Sequence, residues 1–184
     1  MITKLITERH LQPGDAGLKP VRELYESAFP VEEQIPWDDL MRLTVTMPLD
    51  FTIYYMDGTM VGLTIVYPRR SFNWFWYFAV PAHLRGRGIG QAILTRLIDR
   101  YKSSTNVLDM ESPQQACDNA EQRRRRHAFY LRNGFRDTGV GRSFGGIDYT
   151  IMIMGEGTFT TDDYDDIIAE LRAKWDAMPS GDTP

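Results

Sequence analysis

Val80-Pro81-Ala82-His83-Leu84-Arg85-Gly86-Arg87-Gly88-Ile89-Gly90 joins an aromatic run to an amphipathic one through a glycine-rich turn. The run before it, Trp74-Phe75-Trp76-Tyr77-Phe78-Ala79-Val80, has the length and β-propensity of a buried strand. After it, Ile89, Ile93, Leu97 and Tyr101 recur every four residues, and Leu94 and Ile98 widen the stripe. This predicts a helix over Gln91 to Tyr101 that faces a core. Between the two, Gly86, Gly88 and Gly90 lack Cβ atoms, so backbone N–H groups can converge on an anion at the helix start. Unpaired donors and the helix dipole already favour negative charge there. Arg85 and Arg87 add positive charge beside that cradle. The plainer reading is a tight connection; the strand before it and the arginines within it favour phosphate.

Spacing separates the phosphate-loop readings. A nucleoside-triphosphate loop requires G-x-x-x-x-G-K-[ST], and no Gly-Lys-Ser/Thr follows here. A dinucleotide fingerprint requires G-x-G-x-x-G, but counting from Gly86 through Gly88 puts Gln91 where the third glycine belongs. What remains is R-x-x-G-x-G at Arg85, Gly88 and Gly90, which resembles the pyrophosphate loop of the GCN5-related N-acetyltransferases (GNAT). A second block, Arg123-Arg124-Arg125-Arg126-His127-Ala128-Phe129-Tyr130-Leu131-Arg132-Asn133-Gly134-Phe135, reads as an arginine-rich helix that ends at an Asn-Gly cap and enters a strand. Its A-x-Y-x-x-x-G-F form, at Ala128, Tyr130, Gly134 and Phe135, is similar to the segment that follows the loop in the same family. Ala28-Phe29-Pro30-Val31-Glu32-Glu33, followed by Pro36, resembles the stretch after the first helix in some bacterial members.

The resemblance implies an α/β fold, a GNAT-like mixed, mostly antiparallel central sheet flanked by helices. It also implies transfer of an acetyl group from acetyl-coenzyme A, as co-substrate and without a metal, to a primary amine by direct attack. In this family the aromatic strand splays from its neighbour, so the backbone at Phe78, Ala79 and Val80 would meet the pantetheine arm. Arg85, Gly86, Arg87, Gly88, Ile89 and Gly90 would hold the pyrophosphate. Tyr130 occupies the place of the usual general acid, close to the cofactor and to the departing thiolate. A plain core aromatic is the alternative for Tyr130, although Phe129 beside it is the more natural core member.

Two positions depart from the family pattern. Trp76 stands where many relatives have a glutamate, and Arg123 stands where many have an asparagine. An alkyl amine with a pKa of about 10.4 is about one part in a thousand neutral at pH 7, so a base or a water relay is expected. Asp109 and Glu111 alternate on the next strand and share a face. Glu111, at the strand end, is the first candidate base, followed by Asp109 and by Glu33. The missing strand glutamate also keeps open a non-catalytic protein of this fold that binds acetyl-coenzyme A.

Composition narrows the classes. A chain of 184 residues suits one domain, 1–178 including a C-terminal helix, with 179–184 as a frayed tail. Apolar residues make up 42% and aromatic ones 12%, which argues against disorder. The net charge of −4 gives no pull towards nucleic acid. The four arginines from Arg123 read as a solvated helix face, with Arg123, Arg126 and Tyr130 on one side. No run has membrane-spanning length and no secretory signal is evident, so a cytoplasmic protein with no membrane partner is expected. Cys117 is the sole cysteine and has no disulfide partner. The acceptor, a small amine or a protein amino group, is not specified by these residues.

The remaining elements read as an opening strand over Ile2 to Glu8, helices over Leu18 to Ala28 and Trp37 to Thr46, and strands over Phe51 to Met56 and Met60 to Tyr67 around an Asp57-Gly58 hairpin. Further strands are expected over Val107 to Glu111, Phe135 to Val140 and Ile147 to Met154. From Thr161 a helix carries the stripe Tyr164, Ile167, Ile168, Leu171 and Trp175, which must pack on this domain or, alternatively, on a second copy.

Overall fold

The computed structural model describes residues 5–12 and 14–177. Its strands are β1 (Ile6–His10), β2 (Asp50–Met56), β3 (Thr59–Pro68), β4 (Asn73–Ala79), β5 (Asn106–Glu111), β6 (Arg136–Phe144) and β7 (Ile147–Met154). They form one sheet in the order β1-β2-β3-β4-β5-β7-β6. Among the described residues β4 and β5 alone run parallel, so the sheet is mixed and mostly antiparallel, as expected. The helices are α1 (Lys19–Ala28), α2 (Trp37–Thr46), α3 (Ile89–Arg100), α4 (Ala120–Arg132) and α5 (Thr161–Asp176).

Helices cover both faces because each carries one apolar stripe. On one face Leu24 and Tyr25 of α1, Leu40 and Leu43 of α2, and Tyr164 and Ile167 of α5 pack against Ile53, Leu63, Trp74 and Ile151 of the sheet. On the other, Leu94 and Leu97 of α3 and Tyr130 of α4 pack against Phe75, Leu108 and Met152. The α5 stripe thus docks on this chain's own sheet, with Ile168, Leu171 and Trp175 half-buried beside its two buried members. Thr160 and Asp163 close a capping box at its start. The expected tail 179–184 lies outside the described residues.

Most boundaries fall within one residue of the sequence reading, and three differences are instructive. Helix α3 starts at Ile89, ahead of the expected Gln91, because Gly88 takes a left-handed φ of 79° and becomes the N-cap. The first strand runs Ile6–His10 and pairs throughout with β2, while residues 1–4 of the expected Ile2 to Glu8 lie outside the description. Strand β6 extends to Phe144 because pairing with β7 resumes at Gly141, after an irregularity that begins at Asp137. The Asp57-Gly58 turn is a hairpin with positive φ at both residues, 50° and 76°.

Candidate active site

The parallel pair β4 and β5 holds together over only two registers, Asn73 with Asn106 and Trp74 with Val107. Buried Asn73 donates from Nδ2 to Oδ1 of Asn106 at 3.0 Å and clamps that vertex. Beyond Trp74 the strands part, so the β5-facing edge of β4 has no strand partner and its backbone groups face a cleft. The cleft, about 1750 Å³, is lined by Trp74 through Val80 on one side and Leu108 through Glu111 on the other. The far edge of β4 stays tight on β3, where a Cβ on Gly62 would lie 2.8 Å from the Ala79 carbonyl oxygen.

At the open end of β4 lies the glycine cradle. Gly86 has φ 74° and Gly88 φ 79°, conformations that side-chain-bearing residues rarely adopt. No side chain caps α3, so the N–H groups of its first turn are available to a ligand. The Arg85 Nε donates to the Val80 carbonyl at 3.1 Å, which fastens this arginine to the strand end. Arg85, Gly86, Gly88 and Gly90 line the cleft together with Phe78, Ala79 and Val80, while Arg87 is exposed and Ile89 is buried beneath the helix start.

The second motif meets the first directly. Gln91 in the first turn of α3 and Asn133 at the C-cap of α4 are joined by side-chain hydrogen bonds, one from Asn133 Nδ2 to Gln91 Oε1 at 3.1 Å. Tyr130 lies on the sheet side of α4 between the rings of Phe129 and Phe135, at centroid distances of 5.4 and 5.5 Å. It is Tyr130 that is buried, at 9% exposure, while Phe129 packs half-buried against it, the reverse of the expected order. Buried Arg123, seven residues earlier on the same face, explains the reversal: this is the stripe that α4 turns inward. Burial pushes the Tyr130 hydroxyl up to about 12 and keeps it a donor. The ring also lines the cleft.

Glu111 is placed differently from what a base requires. Its carboxylate is buried and accepts from Arg123 at 2.7 Å and from Arg126 at 3.4 Å. Arg123 is only 5% exposed along its side chain and also donates to Gln115 at 2.9 Å. With both oxygens held by guanidiniums, Glu111 neutralises a buried charge and is not a free proton acceptor. Asp109 is similarly engaged: it accepts from Trp74 Nε1 at 3.0 Å and from Arg142 at 2.8 Å.

Glu33 remains. It sits in a short 3-10 turn, Val31–Glu33, that crosses the cleft after α1. Tyr77 of β4 donates to its backbone carbonyl at 2.6 Å, and Tyr149 of β7 donates to its carboxylate at 2.6 Å. Burial raises the Glu33 carboxyl above the ordinary range; the Tyr149 bond offsets part of this, and the neighbouring Glu111 and Asp109 carboxylates add to the rise. Sequence reasoning missed Tyr149 and Arg142. Strand alternation carried a signal for Tyr149, which pairs with Glu111 in register and shares a face with Ile151 and Ile153. Arg142 lies 4.4 Å over the Tyr149 ring and 4.7 Å over the Tyr164 ring, and the signal for it is again alternation, since it shares the half-buried face of β6 with Thr138 and Val140. Among the described residues no cluster of histidine, cysteine and carboxylate side chains is arranged to hold a metal, and no helix is long and apolar enough to cross a membrane.

A sheet split at a parallel pair, with a glycine-capped helix at the mouth of the split, defines the acetyltransferase fold that the two motifs pointed to. Residues 48–137 match the family model described as acetyltransferase (GNAT) domain. The resemblance is therefore borne out, by that match and by the fold, which is the one the resemblance implied. Among solved structures, a protein described as a GNAT-family acetyltransferase from Bacteroides thetaiotaomicron is similar at 23% identity and a TM-score of 0.73, over 91% of this chain and 96% of that one. A GNAT family acetyltransferase from Elizabethkingia anophelis, with acetyl-CoA bound, aligns at 17% identity and TM-score 0.60, over 83% and 99% of the two chains. The ribosomal-protein-S18-alanine N-acetyltransferase from Escherichia coli aligns at 20% identity and TM-score 0.57, over 84% and 99%. At these identities the likeness is one of fold. The search of curated proteins returned no match.

Proposed function

We propose that this protein transfers the acetyl group of acetyl-coenzyme A to a primary amine, with Glu33 as the base and Tyr130 as the donor to the leaving sulfur. The observation that carries this reading is the split between β4 and β5, open at one end to a glycine cradle and crossed at the other by a half-buried glutamate. The cradle suits a diphosphate, since Gly86 and Gly88 admit close backbone approach at a helix start. The Elizabethkingia relative holds acetyl-CoA in the same fold. Arg85 to Gly90 would hold the pyrophosphate, and the unpaired edge of β4 at Phe78, Ala79 and Val80 would hold the pantetheine arm. Bound there, acetyl-coenzyme A would supply the acetyl group as a thioester.

Glu33 takes a proton from the incoming ammonium, which leaves a lone pair to form the new C–N bond, and the second proton that the nitrogen sheds on becoming an amide leaves with the thiolate as free thiol. Its raised pKa brings it closer to that of the amine than an ordinary carboxylate would be. Donors fixed along the β4 edge stabilise the oxyanion as it forms, because they need not reorganise. As the C–S bond breaks, Tyr130 donates a hydrogen bond to the sulfur. A thiolate of pKa about 8.5 is less basic than a phenolate near 12, so Tyr130 stabilises the leaving group more than it protonates it. Release of free thiol against a panel of primary amines tests the reading. The expected result is turnover with at least one amine and a loss on the order of a hundredfold in Glu33→Gln. Acetyl-coenzyme A binding without turnover across the panel would instead favour the non-catalytic binding protein.

A further inference from the structure

Trp76, at the position where many relatives carry a glutamate, is the extra residue of a bulge in β4: Ile65 pairs with Tyr77 and Val66 with Phe75, which leaves Trp76 unopposed. The bulge turns Trp76 and Tyr77 to the same face. Their rings stack at 5.0 Å and 28°, and Trp74 stacks on Trp76 at 4.9 Å and 19°. Trp76 is the middle ring of that row and is only half-buried, and the part of it left exposed lines the cleft. Phe29, Ile168, Leu171 and Trp175 line the cleft as well and are also half-buried, so apolar surface extends across α1 and α5. From this we propose that the acceptor is a small primary amine bearing an aromatic ring, seated against Trp76. This deepens, and rests on, the acetyl transfer proposed above.

Three observations carry the assignment. With Trp74 and Tyr77 stacked on it, Trp76 offers an incoming ring an edge-to-face neighbour that an aliphatic chain cannot use. The carboxylates of β5 inside the cleft are already matched, Asp109 by Arg142 and Glu111 by Arg123 and Arg126, while Glu32, Asp165 and Arg172 line the cleft only as exposed residues. A second ammonium or a carboxylate on the acceptor would gain little from such pairs, whereas Glu33 remains for a single amino group. The third is proximity: Tyr77, adjacent to Trp76, holds the Glu33 carbonyl, so the ring wall and the base are neighbours and the link between ring and amine must be short.

The test measures binding apart from turnover. Calorimetry on the coenzyme A-saturated protein should show phenethylamine and tryptamine binding about tenfold or more tighter than butylamine and spermidine. Trp76→Ala should remove that preference, bringing phenethylamine and tryptamine to within about twofold of butylamine in the same variant. Equal affinities in the wild-type protein would overturn the proposal, and so would a preference that survives in Trp76→Ala. The wild-type comparison stands even where the variant fails to fold. Thiol release on the same amines separates the two readings. Preferred binding of aryl amines without acetylation contradicts acetyl transfer and leaves the aromatic seat standing; acetylation of aryl and alkyl amines with equal efficiency contradicts the seat alone.

Discussion

On one side of the β4/β5 split the site is made of backbone, and on the other of side chains. The cradle at Arg85 to Gly90 depends on two glycines with positive φ and the bare start of α3, and the β4 edge offers main-chain groups. Across the split, Glu33 with Tyr149, Asp109 with Arg142, and Glu111 with Arg123 form side-chain pairs in which each group is held by another. A backbone site tolerates change in side chains but not in conformation. A site of side-chain pairs behaves in the opposite way, and within it one carboxylate can serve packing while its neighbour serves chemistry.

The largest effect that would sharpen this contrast is on stability. Glu111→Ala leaves Arg123 buried and unpaired, so chemical denaturation should show a loss of about 3–5 kcal/mol. A loss under about 1 kcal/mol would return Glu111 to the list of bases. Next comes the cradle: Gly88→Val imposes a side chain on a residue at φ 79° and should weaken acetyl-coenzyme A binding on the order of a hundredfold with the fold intact. Unchanged affinity by calorimetry would remove the diphosphate from this loop. The smallest effect is at Tyr130. Because burial holds its proton, Tyr130→Phe should slow single-turnover transfer only about tenfold, less than the roughly hundredfold or more typical of full acid catalysis, without loss of cofactor affinity. A rate equal to wild type would make the ring a packing residue.

Much of the first side was legible in the sequence. Glycine spacing, the strand before it and the A-x-Y-x-x-x-G-F block are local patterns, and local patterns fix backbone geometry. The face shared by Asp109 and Glu111 was legible too, from alternation. Their pairing was not, because Arg123 and Arg142 reach them from α4 and β6, elements far along the chain whose registers no periodicity encodes. The bulge at Trp76 escaped for the same reason: it appears only when β4 is set against β3, and it is what turns two consecutive aromatic residues to one face. Glu33 was visible as part of a resembling segment, yet its standing as a base depends on Tyr149, 116 positions away.

The central claim is that Glu33 is the base, and the pH dependence of kcat/KM tests it most directly. A base must be ionised, so the rate falls as pH drops through its pKa. Burial and two neighbouring carboxylates raise that pKa, which puts the acid limb above the ordinary carboxylate range. The Tyr149 hydrogen bond works against the rise, because it stabilises the ionised form. In Tyr149→Phe the acid limb should therefore move to higher pH, with activity recovered on its alkaline side. An acid limb that stays in place, or moves to lower pH, would contradict the assignment of Glu33.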